Sequence, residues 1–156
     1  VGGRLCASYA AELGTMRVTE QLDAMEMMAV DPIRFLAMPK FVAAVLMLPV
    51  ITVFADAIAV VSGWLIAVAT LDVTVSTFRE GVLMFYKTSD LMSGLIKTFF
   101  FGGIIALSGI YYGFSTQGGA EGVGNSTMKA VVASCLSILI ADYFLATVLF
   151  QVVFEA

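Results

Sequence analysis

The chain has 156 residues, 60% of them hydrophobic and only 13% charged, with a mean hydropathy of +0.99. Soluble domains sit near half apolar and a quarter charged, so this balance points to a single membrane-embedded domain with a bilayer as solvent. A formal net charge of −4 with no histidine excludes the basic patch of a nucleic-acid binder, any Ser/His or Cys/His dyad, and a histidine metal site.

Residues 1–13 have helical character without a basic stretch followed by a cleavage site, so they are not a signal peptide. They read as the end of a helix that begins earlier. Gly14 is expected to end it, and Thr15 to cap a new one. In 15–30 (TMRVTEQLDAMEMMAV), Val18, Leu22, Met25 and Ala29 fall at helical spacing on one face, with Arg17, Glu20, Gln21 and Asp23 on the rest. Asp31-Pro32 stops this helix, and Asp31 can cap the next one with Pro32 at its first position.

Three long apolar runs follow. Residues 41–71 carry one charge, Asp56; residues 91–114 carry one, Lys97; residues 130–154 carry one, Asp142. A spanning helix needs about 20 apolar residues, and backbone in hydrocarbon must bond internally, so all three are expected to be transmembrane helices. Pro49 is placed to kink the first of them. Polar stretches 14–40, 72–90 and 115–129 connect the runs. Stretches 14–40 and 115–129 must share a side and carry Arg17, Arg34, Lys40 and Lys129, against Arg79 and Lys87 on the other; this makes the first pair cytoplasmic and puts the C-terminal Glu155 and Ala156 outside.

The amphipathic helix in 15–30 has two readings on pattern alone. It lies in the headgroup layer, or it docks in a partner's groove with methionines as adaptable contacts. A headgroup helix is rich in Lys and Arg; this one has Glu20, Asp23 and Glu26 against Arg17, which favours a protein partner.

The stretch AAELGTMRVTEQLDAMEMMAVDPIRFLAMPK (10–40), with its E-Q-x-x-A-M-E-M-M-x-V-D-P core, resembles the signature loop of the MlaE/YrbE permeases, the membrane subunits of Mla-type phospholipid ABC transporters. GGAEGVGNSTMKAVV (118–132), L-I-K at 95–97 and the aspartate of A-D-Y-F, Asp142, extend the likeness over essentially the whole chain. The chain matches the C-terminal part of a family member. The N-terminal interfacial helix, the first spans and the R-E-L-G-P-type segment that helps to line the family's lipid cavity have no counterpart here, so lipid-contact residues are not carried over.

The resemblance implies that the loop is a coupling helix held in a cleft of a cytoplasmic ABC ATPase. Glu20, Gln21, Met25, Glu26, Met27, Met28 and Asp31 are the matching positions, with Pro32 fixing the turn into the next span. It also implies a homodimer of permeases binding glycerophospholipid, an MCE-domain partner that serves outer-membrane lipid asymmetry, and in some systems a STAS-domain regulator. ATP and Mg would belong to the ATPase, leaving no cofactor or enzymatic activity here. A bacterial inner membrane is the implied location, with a plastid inner envelope as alternative.

Several smaller features complete the reading. Cys6 and Cys135 form no metal or disulfide pattern and read as small buried hydrophobes. Gly109 and Gly113, extended by Gly102 and Ala106, make a small-residue face for close helix packing, expected within one subunit rather than between two. Lys97, roughly 9 Å into its run, can reach Asp142 near mid-span, and a structural ion pair is expected in preference to an ion relay. The glycine-rich 118–125 has no P-loop pattern; it reads as tight turns and, through Gly119, Glu121, Gly122 and Gly124, as a second ATPase contact. The fold class is thus all-α and polytopic: three complete spans, the end of an earlier helix and a short coupling helix. The competing functions are a secondary transporter or channel using Asp56, Lys97 and Asp142, and a membrane scaffold anchoring a soluble partner.

Overall fold

A computed structural model describes the backbone of residues 1–71, 74–85 and 88–154. Lys87 and the C-terminal Glu155 and Ala156, all used in the loop-charge argument, lie outside the described residues. The described chain is all helical: α1 (Gly2–Val18), α2 (Gln21–Met27), a π-helical turn (Ile33–Ala37) leading into α3 (Met38–Leu71), α4 (Val75–Phe85), α5 (Thr88–Phe114) and α6 (Gly119–Phe154). Three helical stretches, Ile33–Thr70, Asp90–Phe114 and Gly119–Leu149, are long and apolar enough to cross a membrane. The chain is an all-α polytopic membrane protein.

Small side chains determine how these helices meet. In lipid, apolar surface alone gives helices little reason to associate, so close approach of backbones must supply the contact. Along α5, Gly102 sits against the backbone of Ala44 and Val45 in α3, Gly109 against Cys6 and Tyr9 in α1, and Gly113 against Ala10 and Leu13. Cys6, Ala10, Ile105, Leu48 and Ala130 form the buried cluster where α1, α3, α5 and α6 converge. Helix α1 runs alongside α5 in the same direction, since Gly2 lies by Ile105 and Gly14 by Thr116. The small-residue face therefore packs within this chain.

Five expectations are corrected. Gly14 does not end α1, which continues to Val18. Its missing Cβ instead admits Thr116, whose Oγ1 would lie 2.9 Å from one, and Thr15 donates its hydroxyl back to the Ala11 carbonyl rather than capping a new helix. Stretch 72–90 is not simply a polar connection, because it contains α4, whose Phe78, Val82 and Leu83 line a shallow groove with Val60, Val61 and Trp64 of α3. Helix α6 begins at Gly119, so most of 115–129 is helical. The tight turn is confined to Gly118 and Gly119, with φ of 91° and 68°. Gly122 lies in the first turns, where a Cβ would strike the Gln117 carbonyl oxygen. Finally, Cys6 is buried but Cys135 is exposed.

Pro49 lies inside α3, while the irregularity sits one proline earlier. Pro39 has no N–H to donate, and its ring crowds the carbonyl four residues back, Phe35. The turn Ile33–Ala37 widens there, and the Met38 N–H bonds the Ile33 carbonyl.

Candidate functional site: the acidic helix between two membrane helices

The segment joining α1 to α3 is built from three local devices. Helix α1 unwinds at Thr19, and Glu20 takes a left-handed conformation with φ 60°. Helix α2 occupies Gln21–Met27, shorter than the expected 15–30. It closes with the Val30 N–H on the Met25 carbonyl (3.0 Å) and the Ala29 N–H on the Glu26 carbonyl (2.9 Å), a Schellman arrangement with Ala29 at φ 57° where glycine is usual. Asp31 Oδ1 then accepts from the Ile33 N–H at 2.9 Å, with Pro32 as the first residue of the next helix, as a capping aspartate does.

Burial divides α2 sharply. Leu22 is 1% exposed, whereas Met27 is 89% and Met28 68% exposed. Met25 and Val18 are half-buried, and Ala29, expected on the apolar face, is exposed. Glu20, Gln21, Glu26 and Asp31 are exposed and Pro32 is buried. Arg17, at the end of α1, forms an ion pair with Asp23 at 2.6 Å. That leaves Glu20, Glu26 and Asp31 without an ion-pair partner among the described residues, beside one exposed base, Arg34. Ile33 and Phe35 add exposed apolar surface next to them. The outward face is thus acidic at its edges and apolar, with flexible methionines, at its centre. It can seat in an apolar cleft whose rim is basic.

The structure brings the C-terminal end of α1 close to the turn between α5 and α6, through Gly14 and Thr116. The two stretches expected on one side of the membrane therefore share one end of the bundle. Of the second cluster, Glu121 and Gly124 are exposed on the first turns of α6, Gly122 is half-buried, and Gly119 supplies part of the turn itself. Lys97 Nζ donates to Asp142 Oδ1 at 2.9 Å across α5 and α6. Asp56 is exposed and joins no ion pair among the described residues.

Sequence reasoning missed one feature next to α2. The Lys40 ammonium pairs with the Glu12 carboxylate and lies 5.3 Å from the centroid of the Tyr9 ring, and the Tyr9 hydroxyl donates to the Lys40 carbonyl at 3.1 Å. The available signal was Glu12 alone, the one acid in the opening helix.

Membrane-crossing helices linked on one side by an exposed acidic helix define a polytopic membrane protein with a protein-docking segment. The family model described as permease MlaE matches residues 1–148, and the chain belongs to the MlaE permease family. It is 41% identical over 152 residues to a probable ABC transporter permease protein of Rickettsia bellii, covering 97% of this chain and 59% of that protein. It is 42% identical over 151 residues to a probable ABC transporter permease protein of a Synechocystis strain, covering 97% and 57%. It is also 37% identical over 151 residues to the chloroplastic protein TRIGALACTOSYLDIACYLGLYCEROL 1 of Arabidopsis thaliana, covering 97% and 43%. The chain spans somewhat more than half the length of the bacterial relatives it matches.

Proposed function

We propose that this chain forms the membrane core of an ATP-driven phospholipid transporter, working as a pair of permease copies with a cytoplasmic ABC ATPase on α2. One observation carries the reading: α2 turns Met27 and Met28 outward between Glu20, Glu26 and Asp31, at the bundle end shared with the α5–α6 turn. A helix resting in headgroups would present bases to anionic lipid, whereas this one presents Glu20, Glu26 and Asp31. A helix seated in a protein cleft needs the arrangement seen here.

ATP and Mg belong to the ATPase, so this chain's work is mechanical. Closure of the two ATPase subunits displaces the α2 seated in each, and the rigid helices on either side follow. Glu20, Glu26 and Asp31 orient the docking and the methionines fill the cleft. Pro32 and the Asp31 cap fix the turn that leads from α2 into the next helix. Gly119, Glu121, Gly122 and Gly124 at the start of α6 give the ATPase a second point of contact.

The cargo is a glycerophospholipid. The family likeness and the chloroplastic relative, whose name contains a glycerolipid, support a lipid. An MCE-domain protein on the far side would exchange it, in some systems with a STAS-domain regulator on the ATPase. A bacterial inner membrane suits the bacterial relatives, and a plastid envelope suits the chloroplastic one.

Purification of the full transporter from its native membrane tests this. Native mass spectrometry is expected to show two permease copies, an ATPase pair and bound phospholipid. Replacing Met27 and Met28 together by Asp is expected to strip the ATPase at least tenfold, with the permease still inserted. Undiminished ATPase in that variant, or a lone lipid-free permease in the wild type, would overturn the reading.

A further inference from the structure

The proposed docking of an ATPase on α2 raises a mechanical question, because α2 is a seven-residue helix with a weak joint at each end. Glu20 and Ala29 both hold left-handed backbone, at φ 60° and 57°, and the π turn Ile33–Ala37 follows directly. Helix-terminal residues between two elements, and π turns, are where a chain absorbs changes of backbone angle. A push on α2 alone would be absorbed there as local bending.

Two ties bridge these joints. Arg17 and Asp23, 2.6 Å apart, fasten α2 to the end of α1 across the Glu20 joint. The second tie bypasses α2 and the π turn altogether. Lys40, just beyond the π turn, is fixed to α1 in three ways: its ammonium by Glu12, the same ammonium by the face of the Tyr9 ring, and its backbone carbonyl by the Tyr9 hydroxyl. The Lys40 side chain is 17% exposed and that of Glu12 55%, so the ammonium end of the contact is sheltered while the carboxylate end is open to screening. Residues 28 to 31 apart in sequence are thereby held as one block, with α2 suspended between them.

Resting on the proposed ATPase docking, we infer that Tyr9, Glu12 and Lys40 form a latch that locks α1 to the head of α3, so that displacement of α2 moves both helices together. They are positioning residues: they touch neither the ATPase-facing side of α2 nor the Lys97–Asp142 pair. Breaking the latch leaves docking intact and wastes the stroke in the joints.

The test uses the complete transporter in phospholipid vesicles, measuring ATPase retention, ATP hydrolysis and lipid moved per ATP. Glu12→Lys and Lys40→Glu are each expected to retain the ATPase and its hydrolysis while lipid moved per ATP falls about tenfold. The exchanged pair, E12K with K40E, is expected to regain most of it. Tyr9→Phe keeps the ring under the ammonium and loses only the hydroxyl; a drop of about threefold is expected. If the single variants do not assemble, Tyr9→Phe decides alone. Unchanged lipid moved per ATP in assembled variants, or a folded exchanged pair no better than its singles, overturns the latch. Failure of the wild-type permease to hold an ATPase at all strikes instead at the proposed function.

Discussion

Two regions of this chain are put to opposite uses. Where α1, α5 and α6 meet, Cys6, Ala10, Ala106 and Ala130 are fully enclosed, and glycines at 109 and 113 let backbones touch. In the far half of α3, every residue from 53 to 66 is exposed, including Phe54, Ile58, Val61 and Leu65. Apolar length does not separate α3 from α5 and α6, since all three are long and apolar enough to cross a membrane. Residue size alone does not separate the two regions either, since Ala55, Ala57, Ala59, Ser62 and Gly63 are exposed while Leu13, Leu48 and Ile105 are buried. What differs is that small residues of the packed region lie opposite another helix, so that backbones approach closely. Glycines follow the same division: Gly102, Gly109 and Gly113 each meet another helix, whereas Gly63 and Gly94 meet nothing within 4 Å.

The largest effect is expected in the packed region. Gly113→Leu would place a Cβ 2.7 Å from that of Leu13 and force α1 away from α5. A loss of about 3 kcal/mol is expected, measured by unfolding in mixed micelles. Gly94→Leu, on the loose stretch of the same helix, is the control and is expected to change stability by less than about 0.5 kcal/mol. Similar losses at the two positions would dissolve the distinction between the regions.

The intermediate case lies where α5 and α6 are held by charge. At Lys97 and Asp142 an ion pair at 2.9 Å ties the helices. Asp142→Leu leaves an ammonium uncompensated in an apolar span, with an expected cost of about 2.5 kcal/mol. Joint replacement, Lys97→Met with Asp142→Leu, is expected to recover most of that loss, because two matched apolar groups need no partner. If the double variant remains as unstable as the single, the pair serves something other than holding α5 to α6.

This division also explains what was legible in the sequence. The spans were legible because hydrocarbon imposes one long apolar pattern per helix. The Lys97–Asp142 pair was legible because a charge within a span needs compensation, and few candidates existed. The acidic methionine helix was legible as a segment but not in its bounds, since Glu20 and Ala29 adopt a conformation that their residue types do not advertise. Gly14 was misread for a related reason: a glycine near a helix end signals a cap and a close packing partner equally well, and only the position of Thr116 decides. The Tyr9–Glu12–Lys40 contact was invisible because it joins two helices whose register is set by the fold, with no periodicity linking residue 12 to residue 40.

The smallest effect is the sharpest discriminator, because it compares one chemical change in both regions. Ile105 is 3% exposed and lies against Gly2, while Ile58 is 65% exposed. Ile105→Ala opens a cavity among four helices and is expected to cost about 2 kcal/mol. Ile58→Ala removes the same atoms from a surface that this chain leaves uncovered, with an expected cost below about 0.5 kcal/mol. The two costs are compared in the assembled transporter and in the isolated permease. Any second copy or other chain packed on the far half of α3 would raise the Ile58 cost in the assembly alone, because a cavity term appears only where something closes over the site. Equal, small costs in both preparations would leave that half of α3 facing lipid, and its large side chains would then be explained by the bilayer rather than by a partner.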